Sequence, residues 1–396
     1  MNGRRARVIK IAIGALTLLV LLIGAWATLR QHAHPKASGL ASSSARDQVW
    51  EDGAKSVAPR SAAKVSSLWV RPSAEVASRN HRRSGFAWIL RALGATESQL
   101  DRLIGGDAVA LVKELKENAQ GGDAPSIQML GQLAFVNCRL GRSLSAYKLR
   151  QLTEAHLLPA DDRDWFTSTL NDDLAFDKEL HSVCDQLIDT NEVNYWVKTH
   201  AAQGDGASLW LLTESSTDAV DRAQRLREAA AAGFAPAQFD LALLINGGDE
   251  GAAGTGADKI QSLDLLNQAA GILPASKAEL AVCEYFGECP GIAIDIEAAI
   301  VNAREAAQAG DANALLRIGP HLPPGQMDPN EVAAWGLIDA SLNQQGCGVA
   351  LLTVRQMQNI TGTLNAKTIT PEARALAEQY WQDYGAQIMG NLGCNP

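Results

Sequence analysis

The chain has 396 residues, of which 46% are hydrophobic, 20% charged and 5% aromatic, and its formal net charge is −9. This length suits two average domains or one elongated domain, and the composition excludes a disordered polyelectrolyte and a many-pass membrane protein. Alanine is unusually common and aromatic residues are few, which argues against an all-β fold and favours helices.

An apolar segment follows a basic flank at the N-terminus. The flank consists of Arg4, Arg5, Arg7 and Lys10. Ile11–Leu29 has no charge and, as a helix, spans roughly a bilayer core. The flank should stay in the cytoplasm, so the rest of the chain is expected outside it. Two interpretations stay open for residues 1–30: a retained membrane anchor, or a signal peptide cleaved near Ala25-Trp26-Ala27.

The rest of the chain is acidic. Residues 1–30 hold five of the 35 basic residues and no acidic one, so residues 31–396 have a net charge of −14. Such a surface repels polyanions, so no nucleic acid is expected as a partner. Residues 31–84 begin with an Ala- and Ser-rich stretch without periodicity and are predicted to be a flexible linker. Within it, residues 65–83 stay open to a second interpretation, in which Trp69 and Val70 dock on the folded part. Beyond them, Thr96-Glu-Ser-Gln99 resembles a capping box that opens a short helix.

A short sequence motif recurs along the next part of the chain. Each copy has an alanine-rich helix end, a glycine, a small residue four positions later and an aliphatic residue eight positions later. The repeat-turn residues singled out are Gly122, Gly204, Gly233 and Gly310, with the small residues Ala237 and Ala314. Apolar residues ten, seven and three positions ahead of three of these glycines lie on one helix face. A poorer copy, with a slip of one residue, surrounds Gly271.

This motif predicts an αα-hairpin. The glycine is suited to the left-handed conformation that ends a helix, and Asp123, Asp205 and Asp311 are placed to cap the next helix. A single hairpin cannot bury its own apolar face, so neighbouring hairpins must stack into a solenoid. The glycines from 204 to 310 are 29, 38 and 39 residues apart. The gap of 82 between residues 122 and 204 is about two periods, and a degenerate copy around Asp161–Leu180 has no clear register.

These residues resemble the Sel1-like repeat family, a tetratricopeptide-like helical repeat. The best matches are Gly310-Asp-Ala-Asn-Ala314 with Ile318-Gly319, and Gly233 with Ala237 and Leu241. The resemblance implies an all-α fold, an α-solenoid of αα-hairpins over residues 85–320. It also implies that the solenoid binds proteins or peptides and has no enzymatic chemistry. Many relatives are exported or envelope-associated in bacteria.

Residues 321–396 lack the motif and are expected to form a C-terminal helical cap over the open end of the solenoid. Four prolines at 320–329 interrupt the repeat pattern first. Thr370-Pro371 then predicts the N-cap and first residue of a helix that Gly390 is expected to end.

All six cysteines follow the apolar segment, and their even number favours disulfides in an oxidising compartment. They are Cys138, Cys184, Cys283, Cys289, Cys347 and Cys394. Fifteen pairings are formally possible. Proximity along the chain favours Cys138–Cys184, Cys283–Cys289 and Cys347–Cys394. Buried free thiols are the main alternative, and the absence of a C-x-x-C pair argues against a metal site.

No sequence motif indicates catalysis, a cofactor or a metal. The seven histidines are not spaced as in H-E-x-x-H, there is no G-x-S-x-G, and Gly251–Lys259 lacks the ending of a phosphate loop. We therefore expect no enzyme but a scaffold in the bacterial envelope, either anchored in the inner membrane and facing the periplasm or cleaved and released. The alternative is an envelope enzyme or a cell-wall-ligand binder whose site forms only in three dimensions.

Overall fold

A computed structural model describes residues 67–216, 218–246, 256–289, 291–348 and 353–394. By contacts the chain divides into residues 1–61 and 62–396, and all described residues belong to the second unit. Within the described ranges every regular element is helical. The first nine helices are α1 Ala74–Ala92, α2 Glu97–Ile104, α3 Ala108–Gln120, α4 Ala124–Gln132, α5 Cys138–Glu154, α6 Ala160–Leu187, α7 Thr190–Ala201, α8 Gly206–Ser215 and α9 Ala219–Ala231. The remaining helices are α10 Ala235–Asn246, α11 Gly256–Ala270, α12 Pro274–Phe286, α13 Ile296–Gln308, α14 Asn313–Ile318, α15 Pro329–Gln344, α16 Val354–Leu364 and α17 Pro371–Leu392.

The recurring glycines end helices by one shared hydrogen-bond pattern. Gly122, Gly204, Gly233 and Gly310 have φ values of 85°, 85°, 83° and 109°. In each turn the glycine N–H donates to the carbonyl three residues back, and the next N–H donates to the carbonyl five residues before it. This is the Schellman arrangement, which satisfies carbonyls left unpaired at a helix end. The turns join α3 to α4, α7 to α8, α9 to α10 and α13 to α14 as hairpins.

Small residues allow the paired helices to approach closely. Ala237 is fully buried and Ala314 is 1% exposed, each within the first turn of the second helix of its hairpin. The aliphatic residues four positions further on, such as Leu241 and Ile318, are buried in the cores that the stacked hairpins share. The motif therefore encodes both the turn and the contact between the two helices that the turn joins.

The N-caps follow the prediction in two hairpins and depart from it in a third. The Asp123 carboxylate accepts from the Ser126 N–H at 3.0 Å, and that of Asp205 accepts from the Ser208 N–H at 2.8 Å. In the last hairpin α14 begins one residue later, at Asn313, after Ala312. The Asp311 carboxylate instead accepts from the Asn313 N–H at 3.1 Å, two residues on.

The long gap between the first two glycines has a structural reason. The 28-residue helix α6 occupies the region around residues 161–180, so the chain makes one long helix there instead of the two short helices of a degenerate hairpin. Gly271 does not adopt positive φ, unlike the four repeat glycines, and the N–H groups of Ile272 and Leu273 both donate to the Ala269 carbonyl at this turn.

The N-terminal boundary of the helical region differs from the sequence prediction. Residues 67–84, assigned to the flexible linker 31–84, contain a 3₁₀ turn at Ser67–Trp69 and the first part of α1. Ser73 caps α1 by accepting from the Val76 N–H. Leu68 and Ala77 are fully buried, so packing against the rest of the unit orders this segment. Linker residues 31–66 and the apolar segment 11–29 lie outside the described residues.

The C-terminal part of the described unit contacts its first helices. The Arg91 guanidinium of α1 donates to the carbonyl of Gly390 at 2.8 Å, and the Ser84 hydroxyl of α1 donates to that of Gly348 at 3.2 Å. The Thr361 hydroxyl of α16 donates to the Asp162 carboxylate of α6 at 2.9 Å. The C-terminal helices therefore pack against early helices, whereas a simple solenoid has contacts only between neighbours.

Helix α17 begins as the sequence predicts but ends later. Thr370 is its N-cap and Pro371 its first residue. The helix continues through Gly390 to Leu392, where Gly393 takes the left-handed conformation with φ 73°.

Three disulfides link the cysteines in the order expected from the chain. They are Cys138–Cys184, Cys283–Cys289 and Cys347–Cys394, with Cα–Cα distances of 5.8, 5.1 and 5.9 Å. Three disulfides in one chain are typical of an exported protein in an oxidising compartment. Among the described helices, none is long and apolar enough to cross a membrane.

Candidate functional site

A groove lies among the first three repeat hairpins of the described residues. Its volume is about 620 Å³, within the range usual for ligand-binding clefts. Four segments line it: the end of the α4 region and start of α5, helix α7, the end of α8, and the start of α9. The lining residues are Ala134, Phe135, Cys138, Arg139, Thr190, Asn191, Asn194, Lys198, Leu212, Ser215, Ser216, Asp221 and Arg225.

The floor of the groove is apolar and includes a π-helical turn. Ala134, Phe135 and Leu212 are at most 6% exposed. Residues 133–137 form a π-helical turn, in which the Cys138 N–H donates to the Leu133 carbonyl five residues back. Such turns insert an extra residue into a helix and occur frequently at functional sites.

Helix α7 presents a polar face to the groove. Asn191, Asn194 and Lys198 line it, and their spacing of three and four residues places them on one side of the helix. Tyr195 is on this same side and is 69% exposed. The Asp189 carboxylate fixes the start of the helix by accepting from the Asn191 N–H at 2.9 Å. The opposite side of α7 buries Val193 and Val197, so the polar face is turned outward.

An ion pair forms the wall contributed by α9. The Arg225 Nε donates to the Asp221 carboxylate at 2.8 Å, and the Ser216 hydroxyl donates to the same oxygen at 2.9 Å. These hydrogen bonds, that of Arg225 first, lower the pKa of Asp221. The bond to Asp221 raises the pKa of Arg225. Both groups are therefore charged at neutral pH and neutralise each other.

The other two cations of the groove have no such partner. Arg139 and Lys198 are exposed, and among the described residues no carboxylate lies within ion-pair distance of either. Three basic residues and one acid line the groove. Its net charge is thus positive, opposite in sign to the chain as a whole.

A second cluster, between α1, α5 and α6, has the residue types of an acid–base site. The buried Asp173 carboxylate lies 2.5 Å from His81 Nδ1 and accepts from the Ser78 hydroxyl at 2.7 Å. Burial favours protonation of Asp173, but the hydrogen bonds from His81 and Ser78 and the charges of His81 and Lys148 outweigh it and lower its pKa. The space beside His81 is about 10 Å³, room for about one water. The cluster therefore serves to join three helices rather than to hold a substrate.

A third cluster brings together residue types that bind metals. Ligand atoms of Glu279, Cys283 and Cys289 lie within 4.8 Å of one another. The two sulfurs form a disulfide, so neither is available as a thiolate ligand.

The site residues chosen from the sequence are structural ones. The four repeat glycines, Ala237 and Ala314 lie in turns and helix contacts, and the six cysteines lie in disulfides. Of the sequence-selected residues, only Cys138 also lines the groove. The groove was missed because its residues come from separate repeats. One sequence pattern does indicate it: the polar residues Asn191, Asn194 and Lys198 are spaced to lie on one side of a helix whose other side is apolar.

The described part of the chain is thus an all-α repeat protein with a positively charged groove. No family model matches the chain, and no curated protein matches it. Among solved structures, it is similar to a protective antigen present in uropathogenic Escherichia coli strains that displays an SLR fold. The identity is 17%, the TM-score 0.40, and the match covers 74% of this chain and 71% of the other.

It is also similar to a Sel1 repeat protein from Oxalobacter formigenes. There the identity is 18%, the TM-score 0.37, and the match covers 82% of this chain and 94% of the other.

Proposed function

We propose that this protein is a non-enzymatic scaffold that binds a protein or peptide in its groove. The observation that carries the proposal is the groove itself, with an apolar floor at Phe135 and Leu212 and an outward polar face on α7. Protein-binding surfaces commonly combine an apolar centre with a polar rim, and tyrosine and arginine are enriched in them. Tyr195 and Arg139 supply those residue types at this groove.

The proposed location is the bacterial cell envelope. The three disulfides support an oxidising compartment, and the basic flank before residues 11–29 supports export of the chain beyond that segment. We propose that this segment either anchors the chain in the inner membrane or is cleaved as a signal peptide. An envelope enzyme is not supported by the His81–Asp173 cluster, because the space beside it is too small for a substrate.

Site-specific crosslinking tests the binding function. A photoreactive amino acid in place of Tyr195 should yield one recurrent protein adduct when the full chain is irradiated in its own cells. The same amino acid in place of Val301, 52% exposed on α13, is the matched control and should not yield that adduct. Identical adducts from both positions, or none from position 195, would contradict the proposal.

A reporter fusion tests the location separately. A reporter active only outside the cytoplasm, fused after Pro396, should be active. Activity of the complementary cytoplasmic reporter at that position would contradict both interpretations of residues 11–29.

A further inference from the structure

The charge of the groove indicates what kind of partner segment it accepts. Residues 31–396 have a net charge of −14, yet the groove lining has three cations and one acid. Asp221 neutralises Arg225 through a hydrogen bond of 2.8 Å. Arg139 on α5 and Lys198 on α7 are left to attract negative charge. A local positive potential on an acidic protein selects anionic ligands and speeds their encounter.

The polar groups beside these cations match a peptide backbone. Asn191 and Asn194 each offer an amide N–H donor and a carbonyl acceptor, the same pair that a peptide unit presents. Neither side chain makes a hydrogen bond within the described residues. Their spacing of three residues on α7 places both amides along one wall. The adjoining apolar floor is suited to a side chain lying between two acidic ones.

We propose that the groove binds an extended acidic segment of a partner protein. Its carboxylates bind Arg139 and Lys198, and its backbone is bound by the amides of Asn191 and Asn194. This inference rests on the proposed scaffold function and specifies its partner. The exposed ring of Tyr195, next to the groove on α7, extends the contact beyond the recess, which favours a protein segment over a small carboxylate.

Selection from a random peptide library tests the proposal. The full-length chain in detergent is used to select nonapeptides at low salt, and the affinities of the selected peptides are then measured. The selected peptides should be enriched in Asp and Glu, and their binding should weaken as salt rises. The double variant Arg139→Glu/Lys198→Glu should bind them about tenfold or more weakly. It should select basic peptides instead, which shows that the altered groove is still folded.

The matched control makes the same charge change elsewhere. Lys113→Glu/Arg317→Glu reverses two exposed cations on α3 and α14, outside the groove, and should bind the acidic peptides as the unaltered chain does. Equal weakening by both double variants would overturn the proposal, because it would attribute binding to net charge alone.

Other outcomes separate the failure of this inference from that of the scaffold function. If neutral or basic peptides are selected and Tyr195→Ser abolishes their binding, the scaffold function stands and the acidic assignment falls. If no peptide is enriched, both fall. Displacement of the acidic peptides by an equal concentration of a soluble cell-wall stem peptide would assign the groove to a cell-wall ligand and overturn the proposal.

Discussion

Gly122 and Gly362 illustrate, at the scale of single residues, how the backbone decides the effect of one substitution. Gly122 has φ 85° in a repeat turn, whereas Gly362 lies within helix α16. A Cβ added at either position meets no atom within 4 Å. Only backbone conformation therefore distinguishes the two sites.

Alanine at these two positions should have opposite effects. Gly122→Ala should lower the free energy of unfolding by about 1 kcal/mol, since an L-residue is strained in the left-handed region. Gly362→Ala should raise it by about 0.5–1 kcal/mol, since Gly362 has a helical backbone and alanine leaves the unfolded chain less conformational freedom than glycine does. Denaturant unfolding of the oxidised chain measures both. Shifts of the same sign would contradict the left-handed conformation of Gly122.

The carboxyl group of Asp339 introduces a pH dependence. Burial first, and then the charge of Asp311, raise its pKa from 3.8 to about 6. Between about pH 4 and pH 6 the folded chain holds a proton that the unfolded chain has lost. Through that window this group makes the folded state less stable as the pH rises, and the destabilisation is complete above pH 6.

Asp339→Asn should therefore stabilise the protein at pH 7.5 by on the order of 2 kcal/mol and have little effect near pH 4. The amide keeps the acceptor that Asn343 Nδ2 uses. Thermal unfolding at both pH values measures the difference, with Asp383→Asn, exposed on α17, as the control. An equal gain at pH 4 and pH 7.5 would contradict ionisation as the cause.

At the scale of elements, the disulfides differ most in the lengths of chain that they close. Cys138–Cys184 spans 46 residues and ties α5, beside the groove, to α6, whereas Cys283–Cys289 spans only six. In the chain-entropy model, a disulfide that closes a longer loop stabilises the folded state more, because it restricts the unfolded chain more strongly.

Removing the two bridges should have unequal costs. Replacing Cys138 and Cys184 by Ser should cost about 4 kcal/mol, and replacing Cys283 and Cys289 about 2 kcal/mol. Denaturant unfolding of the two double variants gives the comparison. A larger loss from the six-residue loop would show that native-state contacts, rather than loop length, control the stabilisation.

Much of the helical architecture could be predicted because its signals are local. A glycine, a small residue and an aliphatic residue at fixed spacing encode a turn and a helix contact, as in Gly233, Ala237 and Leu241. The N-cap of α14 is Ala312, one residue later than the Asp311 that the sequence predicts, and Asp311 accepts from the Asn313 N–H instead. The spacing from the turn glycine alone does not distinguish these two local arrangements.

At the scale of the whole described unit, the features that sequence analysis missed depend on contacts between distant segments. Gly346 ends α15 with its Cα against the backbone of Ala77 in α1, so closely that a Cβ would overlap the Ala77 carbonyl oxygen. Nothing near either residue in the sequence predicts that approach. The groove has the same origin, since Arg139, Lys198 and Arg225 come from three separate helices.

The groove is the surface through which we propose that the protein binds its partner. Hydrogen–deuterium exchange of the full chain, with and without the partner captured by crosslinking, tests this claim most directly. We expect slower amide exchange on binding in Thr190–Ala201 and Ala219–Ala231, the helices that form two walls of the groove. Protection confined to Ile296–Gln308 or another helix outside the groove would contradict it.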